Sequence, residues 1–342
     1  MRILLGISGG FDSAVAAHKL LAEGHIVEGA VVVMHEYTDT ESAALACEKL
    51  GLPFHLIDAK ESFDKCVKED FVNQYKNGRT PNPCVICNRE VKLKSLLEYA
   101  IANGFDKVAT GHYARIVTVH SDDGCHYAVA RARDEAKDQS YMLARLSEDQ
   151  LSMLILPLAD EIKSELRRIS EEESLPLPQA KDSQEICFIP DNNHVDFIKA
   201  RIGEVEEGFF VDELGNVLGK HKGIINYTVG QRKGLGIALG KRIFVSAIDP
   251  IANTVTLSEE GRVDKTIVLS SPVYSGASEP KEPCKVRASV KIRYKSPLYP
   301  ATVTFEGDKI TVDFDEPVRG SAPGQTAVIY KDDVVLAAGF IE

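Results

Sequence analysis

No run of apolar residues in this chain approaches the roughly 18–20 that a membrane-spanning helix needs, so no membrane partner is expected. Cysteine is sparse: seven residues, an odd number, are scattered over 342 positions. That excludes the paired framework of a small secreted domain and leaves individual thiols free for reaction or metal binding. Internal repeats and low-complexity tracts are absent, and 44% hydrophobic with 27% charged residues excludes a disordered or collagen-like chain. Positive charge is in deficit, 40 Lys+Arg against 51 Asp+Glu, which argues against general affinity for nucleic acid but not against a local basic patch. The apolar start of the chain runs directly into Gly, Asp and Ser with no cleavage site, so it reads as the first strand of a cytoplasmic protein. The length suggests two or three domains.

What is present has a clear order. Short apolar runs at 3–7, 27–33, 54–57 and 106–109 alternate with helix-like segments at 13–23, 41–50 and 88–102, the last capped by Asn88. That alternation predicts an α/β unit with a mostly parallel sheet covered on both faces. Further helix-like pieces are expected at 147–154, 160–173 and 194–202. Beyond Gly203 the chain turns to short, glycine-punctuated strands, and the last 75 or so residues read as a small all-β barrel or sandwich. The expected division is 1–202, a small central domain at 203–266, and a C-terminal β domain at 267–342.

Ser8-Gly9-Gly10-Phe11-Asp12-Ser13 lies between the first strand and the first helix. Glycines there allow close backbone approach to phosphate, and a helix N-terminus offers free N–H groups with partial positive charge. Asp12 would hold Mg²⁺ or cap the helix. The P-loop lysine is missing, and so is G-x-G-x-x-G at this turn, which counts against those two nucleotide folds. A plain capped turn is the alternative reading. Strand-SGGxDS-helix resembles the PP-loop of ATP pyrophosphatases, which adenylate a carbonyl oxygen and release pyrophosphate; Phe11 stands where that superfamily usually has Val.

The stretch Gly78-Arg79-Thr80-Pro81-Asn82-Pro83-Cys84-Val85-Ile86-Cys87-Asn88 places two cysteines just before the expected helix, with Arg79, Arg89 and Lys92 near in sequence. A thiolate is expected to be favoured there. By itself a lone C-x-x-C also fits a redox pair, half a zinc site or structural residues. With Ala109-Thr110-Gly111-His112-Tyr113, Lys137-Asp138-Gln139-Ser140-Tyr141, Asp182-Ser183-Gln184-Glu185-Ile186-Cys187-Phe188, Tyr227-Thr228-Val229-Gly230-Gln231-Arg232-Lys233-Gly234, Arg293-Tyr294 and Ala322-Pro323-Gly324-Gln325, the order closely resembles the bacterial and mitochondrial tRNA-specific 2-thiouridylases over essentially the whole chain.

That resemblance implies ATP-dependent sulfur transfer to the wobble uridine of tRNA, with ATP and Mg²⁺ as cofactors and a persulfide-donor protein as partner. It implies Cys87 as the nucleophile and Cys187 as the persulfide carrier, the two able to form a disulfide. Gly6, Ile7, Ser8, Gly9, Gly10, Phe11, Asp12 and Ser13 match the phosphate loop, and Met34 and Gly111 the adenosine positions. Asn82, Pro83 and Cys84 match the segment meeting the target base. His112, Lys137, Asp138, Gln139, Arg293, Tyr294 and Gln325 match tRNA-contacting positions. Cys84 departs from the Asp usual in the family, so Cys84, Cys87 and Cys187 together also raise an iron–sulfur site. Period-two alternation over 285–295 predicts a strand carrying Lys285, Arg287, Lys291, Arg293 and Lys295 on one basic face. The alternative to a tRNA enzyme is another PP-loop ligase acting on a small molecule.

Overall fold

A computed structural model describes residues 1–121, 124–172, 186–237, 240–276, 279–280 and 282–342. Asp182, Ser183, Gln184 and Glu185 of the cysteine motif lie outside the described residues, as does Glu173 at the end of an expected helix.

The first strand, Arg2–Gly6, alternates its side chains between two cores: Ile3 and Leu5 face one, Leu4 the other, and all three are fully buried. Helices Phe11–Ala22 and Thr40–Leu50 cover the first face, and Leu93–Ala102 covers the second. Such two-sided burial is what makes the strand apolar throughout rather than alternating. The sheet is parallel, ordered Phe54–Asp58, Ile26–Val33, Arg2–Gly6, Lys107–Thr110, Leu154–Ile155. Its order reverses between Arg2–Gly6 and Lys107–Thr110, and a crevice opens beyond the carboxyl ends of those two strands. Gly6 and Gly111 stand at that crevice. The expected α/β class is borne out.

The middle of the chain forms a four-stranded sheet from Gly208–Val211, Val217–His221, Phe244–Asp249 and Thr254–Ser258. Phe210, Tyr227, Val229, Val245 and Val255 fill its core, joined by Ala322 from the C-terminal unit. The C-terminal strands form a closed barrel, in which Val263–Tyr274 pairs with both Lys309–Arg319 and Val334–Ile341. Closure removes the exposed edges an open sheet would carry.

One hairpin was not read from the sequence. Strands Arg115–Ser121 and Gly124–Ala130 leave the first unit and join the barrel sheet through Ala130 opposite Val334. Tyr330, Val335 and Ala338 of the barrel accordingly share a core with Tyr141, Leu143 and Leu146. The barrel is thereby bolted onto the nucleotide-binding unit. The expected basic strand is also shorter than read: Cys284–Lys291 ends before Arg293, which sits in the turn that follows. Arg287 reaches across the adjacent strand Tyr299–Glu306 to make a two-pronged pair with Asp315 on the strand beyond it, Lys309–Arg319, so the five cations do not form one free stripe.

Candidate active site

The nucleotide loop is held by its own hydroxyls. Ser13 Oγ donates to the Gly10 carbonyl at 3.0 Å and accepts from the Ser8 amide at 3.2 Å. Gly9 has φ +74°, and a Cβ there would lie 2.5 Å from Ser42 Cβ, so conformation and close packing both require glycine. Gly111 approaches from the neighbouring strand; a Cβ on it would lie 2.9 Å from the Asp12 carbonyl carbon and the Ser13 amide nitrogen. Phe11 is buried beneath the loop, with the Arg167 guanidinium 4.9 Å from its ring centroid.

Asp12 does not cap its helix. Gly10 occupies the N-cap without a side-chain bond, while the Asp12 carboxylate accepts from Lys163 Nζ at 2.7 Å and the Tyr113 hydroxyl at 3.1 Å. Lys163 is the residue sequence reasoning missed. It opens helix Lys163–Glu172, is only 4% exposed, and meets Asp12 from 151 positions away. No motif surrounds it, so no sequence signal marked it. A helix N-terminus, two hydroxyls and a buried ammonium form a set suited to a polyphosphate. With Asp12 already paired and no cluster of three acidic, His or Cys side chains able to hold a metal among the described residues, Mg²⁺ would depend mainly on phosphate and water oxygens.

One of the thiols lies against Met34, just past the carboxyl end of the strand Ile26–Val33. The expected helix start at Asn88 is corrected: the helix begins at Pro83, whose fixed φ suits a first helical position, and Asn88 is buried inside it, donating to the Met142 carbonyl. Cys84 and Cys87 therefore stand one turn apart on the same face. Beyond Cys87 a π-turn, Asn88–Lys92, widens the helix before it continues as Leu93–Ala102. Cys87 is half-buried and its thiol donates to Met34 Sδ at 3.4 Å, which joins the residue expected at adenosine to the expected nucleophile.

Cys187 reaches the same place from a distant turn, close enough that the charges of all three thiols act on one another. All seven cysteines are free thiols. The three are not arranged as a metal-holding group, so the iron–sulfur alternative gains nothing from the geometry.

The expectation of a favoured thiolate is also corrected. Burial pushes the Cys87 thiol up to about 12, with Lys92 pulling the other way through its charge and a backbone hydrogen bond. Burial raises Cys187 as well, again opposed by Lys92. Cys84 retains solvent-facing surface, but protein crowds it on most sides, and that desolvation raises it too. Desolvation outweighs one ammonium. Of the three nearby cations only Lys92 serves the thiols: Arg79 donates to the Ile341 carbonyl, and Arg89 pairs with Glu90.

The segment expected to meet the base is gripped by the barrel. Gln325 Nε2 donates to the carbonyls of Thr80 (3.2 Å) and Pro81 (2.9 Å), and the Thr80 amide donates to Pro323 O at 2.7 Å. Asn82 donates to the Tyr141 hydroxyl, which donates on to Thr326 O. The structure thus commits the Gln325 amide to this loop. It likewise turns Asp138 inward: that carboxylate is 4% exposed and accepts from Ala132 N, Ser140 N and Ser140 Oγ. Gln139 Oε1 accepts from Tyr113 N, while Lys137 is half-buried on the same turn. His112 shares its Nδ1 with Thr110 Oγ1 at 2.8 Å, and burial, reinforced by Lys92, drops its pKa to about 3, so the ring is neutral. Arg293 is wedged against Gly230 and Gly320 and donates to Val229 O at 2.9 Å. The Tyr294 ring lies 5.9 Å from Tyr141.

Comparison with known proteins covers the chain from end to end. A family model described as tRNA methyl transferase HUP domain matches residues 1–191, a tRNA methyl transferase PRC-barrel domain 195–259, and an aminomethyltransferase beta-barrel domain 264–341. The tRNA-specific 2-thiouridylase MnmA 1 of Clostridium botulinum (strain Loch Maree / Type A3) is 41% identical over 360 residues, spanning 100% of this chain and 99% of its own. MnmA of Clostridium perfringens (strain 13 / Type A) is 40% identical over 358 residues, 100% of this chain and 98% of its own. MnmA 2 of Clostridium tetani reaches 42% with the same coverage. Among solved structures, the U34-tRNA thiolase NcsA of Methanococcus maripaludis overlaps 59% of this chain and 69% of its own at 20% identity and TM-score 0.36, too slight a likeness to argue from.

Proposed function

Because this chain belongs to the tRNA-specific 2-thiouridylase family, we propose that it replaces the 2-oxygen of the tRNA wobble uridine with sulfur at the expense of ATP. The observation that carries this reading is the gathering of Cys84, Cys87 and Cys187 around Lys92, with Cys87 against Met34. A small-molecule ligase of the same superfamily needs no such thiols, and the full-length relatives are thiouridylases; that alternative is set aside.

The uridine C2 oxygen is a poor leaving group. Its attack on the α-phosphorus of ATP expels pyrophosphate and turns that oxygen into part of an AMP ester. Loop amides, the Ser8 and Ser13 hydroxyls and Lys163 lie where they would neutralise the phosphate charge. Bound Mg²⁺ would supply further charge neutralisation at the phosphates.

A persulfide on Cys187, supplied by a donor protein, presents its outer sulfur to C2, and AMP leaves as the C–S bond forms. Attack of the Cys87 sulfur on Cys187 releases that outer sulfur and leaves a Cys87–Cys187 disulfide, which a thiol reductant opens for the next turnover. Lys92 stabilises the sulfur anions formed along the way. The residues 1–202 would carry this chemistry, while 203–266 and 267–342 would hold the RNA and the loop. A cytoplasmic location suits a tRNA substrate, and no helix among the described residues is long and apolar enough to cross a membrane.

The test is thiolation of unmodified tRNA with ATP and a persulfide donor. Cys87→Ser and Cys187→Ser should each abolish thiouridine formation while pyrophosphate release persists. Full thiolation by either variant would overturn the assignment.

A further inference from the structure

The central unit carries a cationic loop that the chemistry above does not use. Gln231 builds the turn at its start: its side-chain oxygen accepts from Thr228 N at 3.0 Å, its side-chain nitrogen donates to Lys233 O at 3.0 Å, and its carbonyl accepts from Val245 N at 2.9 Å. Buried Val229, Leu235 and Ile243 anchor the loop to the central core. Arg232, Lys233, Lys241 and Arg242 are exposed, and three of them, Arg232, Lys241 and Arg242, line an open recess of about 750 Å³.

Lys241 pairs with Glu259 at 2.5 Å; among the described residues the other three have no acidic partner. Unpaired cations concentrated on one loop stand out in a chain of net charge -11. Gly236 and Gly240 take φ +74° and +70°, and among the described residues nothing lies within 4 Å of where their Cβ atoms would be, so backbone there is bare and approachable.

The loop is also tied to the expected base-meeting segment by a chain of contacts. Gly230, two residues before Arg232, backs onto the Arg293 guanidinium. Arg293 adjoins Tyr294, which stands beside Tyr141, whose hydroxyl holds Asn82 of the base-meeting segment. This chain of contacts runs through the fully buried Tyr141 and fixes the loop rigidly to the Asn82 segment. The recess is too open to strip water from a single small anion, so each exposed cation contributes little alone. A chain of phosphates engages several at once and gains from the counterions it releases.

We propose that Arg232, Lys233 and Arg242 form a second docking surface for tRNA, binding the ribose–phosphate backbone of the tRNA body beyond the anticodon stem–loop. This rests on the tRNA reading of the active site and extends it. The surface reads no sequence; it adds affinity for the folded tRNA over the isolated stem–loop.

The test uses the full chain with Arg232→Ala, Lys233→Ala and Arg242→Ala combined, and separately Arg242→Glu. Binding of full-length unmodified tRNA and of its isolated anticodon stem–loop is measured between about 50 and 200 mM salt. For the triple variant, full-length tRNA affinity should fall about tenfold or more, and the slope of log K against log salt should become shallower by about 2–3. Affinity for the stem–loop and the thiolation rate at saturating tRNA should stay as in the wild type. Arg242→Glu should weaken full-length binding in the same direction. An unchanged salt slope for full-length tRNA, or an equal loss on the stem–loop, overturns the docking surface. Failure of the wild-type chain to thiolate tRNA would overturn the catalytic reading instead, so the two failures are distinct.

Discussion

Gly111→Ala is the sharpest test of how the nucleotide loop is positioned. The added methyl would lie 2.9 Å from the Asp12 carbonyl carbon and the Ser13 amide nitrogen, and 3.0 Å from the Asp12 oxygen. All three are backbone atoms, so no side-chain rotation relieves the contact. Restoring ordinary van der Waals separation requires the loop or the Gly111 strand end to shift by roughly 0.5 Å. Overpacking of this kind costs about 1–3 kcal/mol.

The functional cost follows from the same displacement. A misplacement near 1 Å is worth roughly a hundredfold in rate, so half of that predicts about a tenfold loss in kcat/KM for ATP, or about 1.4 kcal/mol. Pyrophosphate release in the presence of tRNA, followed over a range of ATP concentrations, measures it directly. Affinity for tRNA should stay unchanged, because the segments expected to contact RNA are held elsewhere. A Gly111→Ala enzyme within twofold of wild type in kcat/KM for ATP would refute the close approach on which the reasoning depends.

Three further outcomes are expected. Lys163→Met leaves Asp12 without its cation and removes the ammonium from the phosphate site, and should cut pyrophosphate release by roughly a hundredfold, with partial recovery in Lys163→Arg; normal release in Lys163→Met would contradict its placement. Gln325→Ala forfeits two hydrogen bonds to the Thr80 and Pro81 carbonyls, about 1 kcal/mol each, so the thiolation rate should drop roughly five- to thirtyfold with tRNA affinity held within twofold; the reverse split would make Gln325 an RNA contact. For pH, the folded His112 pKa of about 3 lies below the ordinary 6.5, so below pH 6.5 the unfolded chain binds a proton that the folded chain refuses. This depressed pKa should remove roughly 2–4 kcal/mol of stability as pH falls toward 3, and His112→Asn should flatten that component of an acid-unfolding series; identical acid profiles would show the ring is not buried as described.

Local chemistry was legible directly in the residues. Buried strands separated by helices leave continuous apolar runs, and 3–7, 27–33 and 54–57 appear as strands within a residue or so of where they were expected. The glycines of the loop needed only their positions between strand and helix to suggest phosphate. Helix 194–202 was read to the residue, because Asn193 caps it and Gly203 ends it. The cysteine motifs, by resemblance, named Cys87 and Cys187 together although a hundred residues separate them.

Burial and partnership could not be read in the same way, because they are set by groups distant in the chain. Lys92 near Cys87 suggested a thiolate, yet the fold wraps the sulfur and desolvation prevails over the single charge. Asp12 looked like a cap until the fold brought Lys163 against it. Gln325 and Asp138 were expected at the RNA, and the fold gives each an internal partner as well: the Gln325 amide nitrogen donates to the Thr80 and Pro81 carbonyls, and Ser140 and Ala132 enclose the Asp138 carboxylate. The alternating basic run is real over 285–291, but the turn after Lys291 breaks its face and Asp315 takes up Arg287. A residue's type and periodicity are properties of the chain; its dielectric surroundings, its hydrogen-bond partner and the direction it faces belong to the packed molecule.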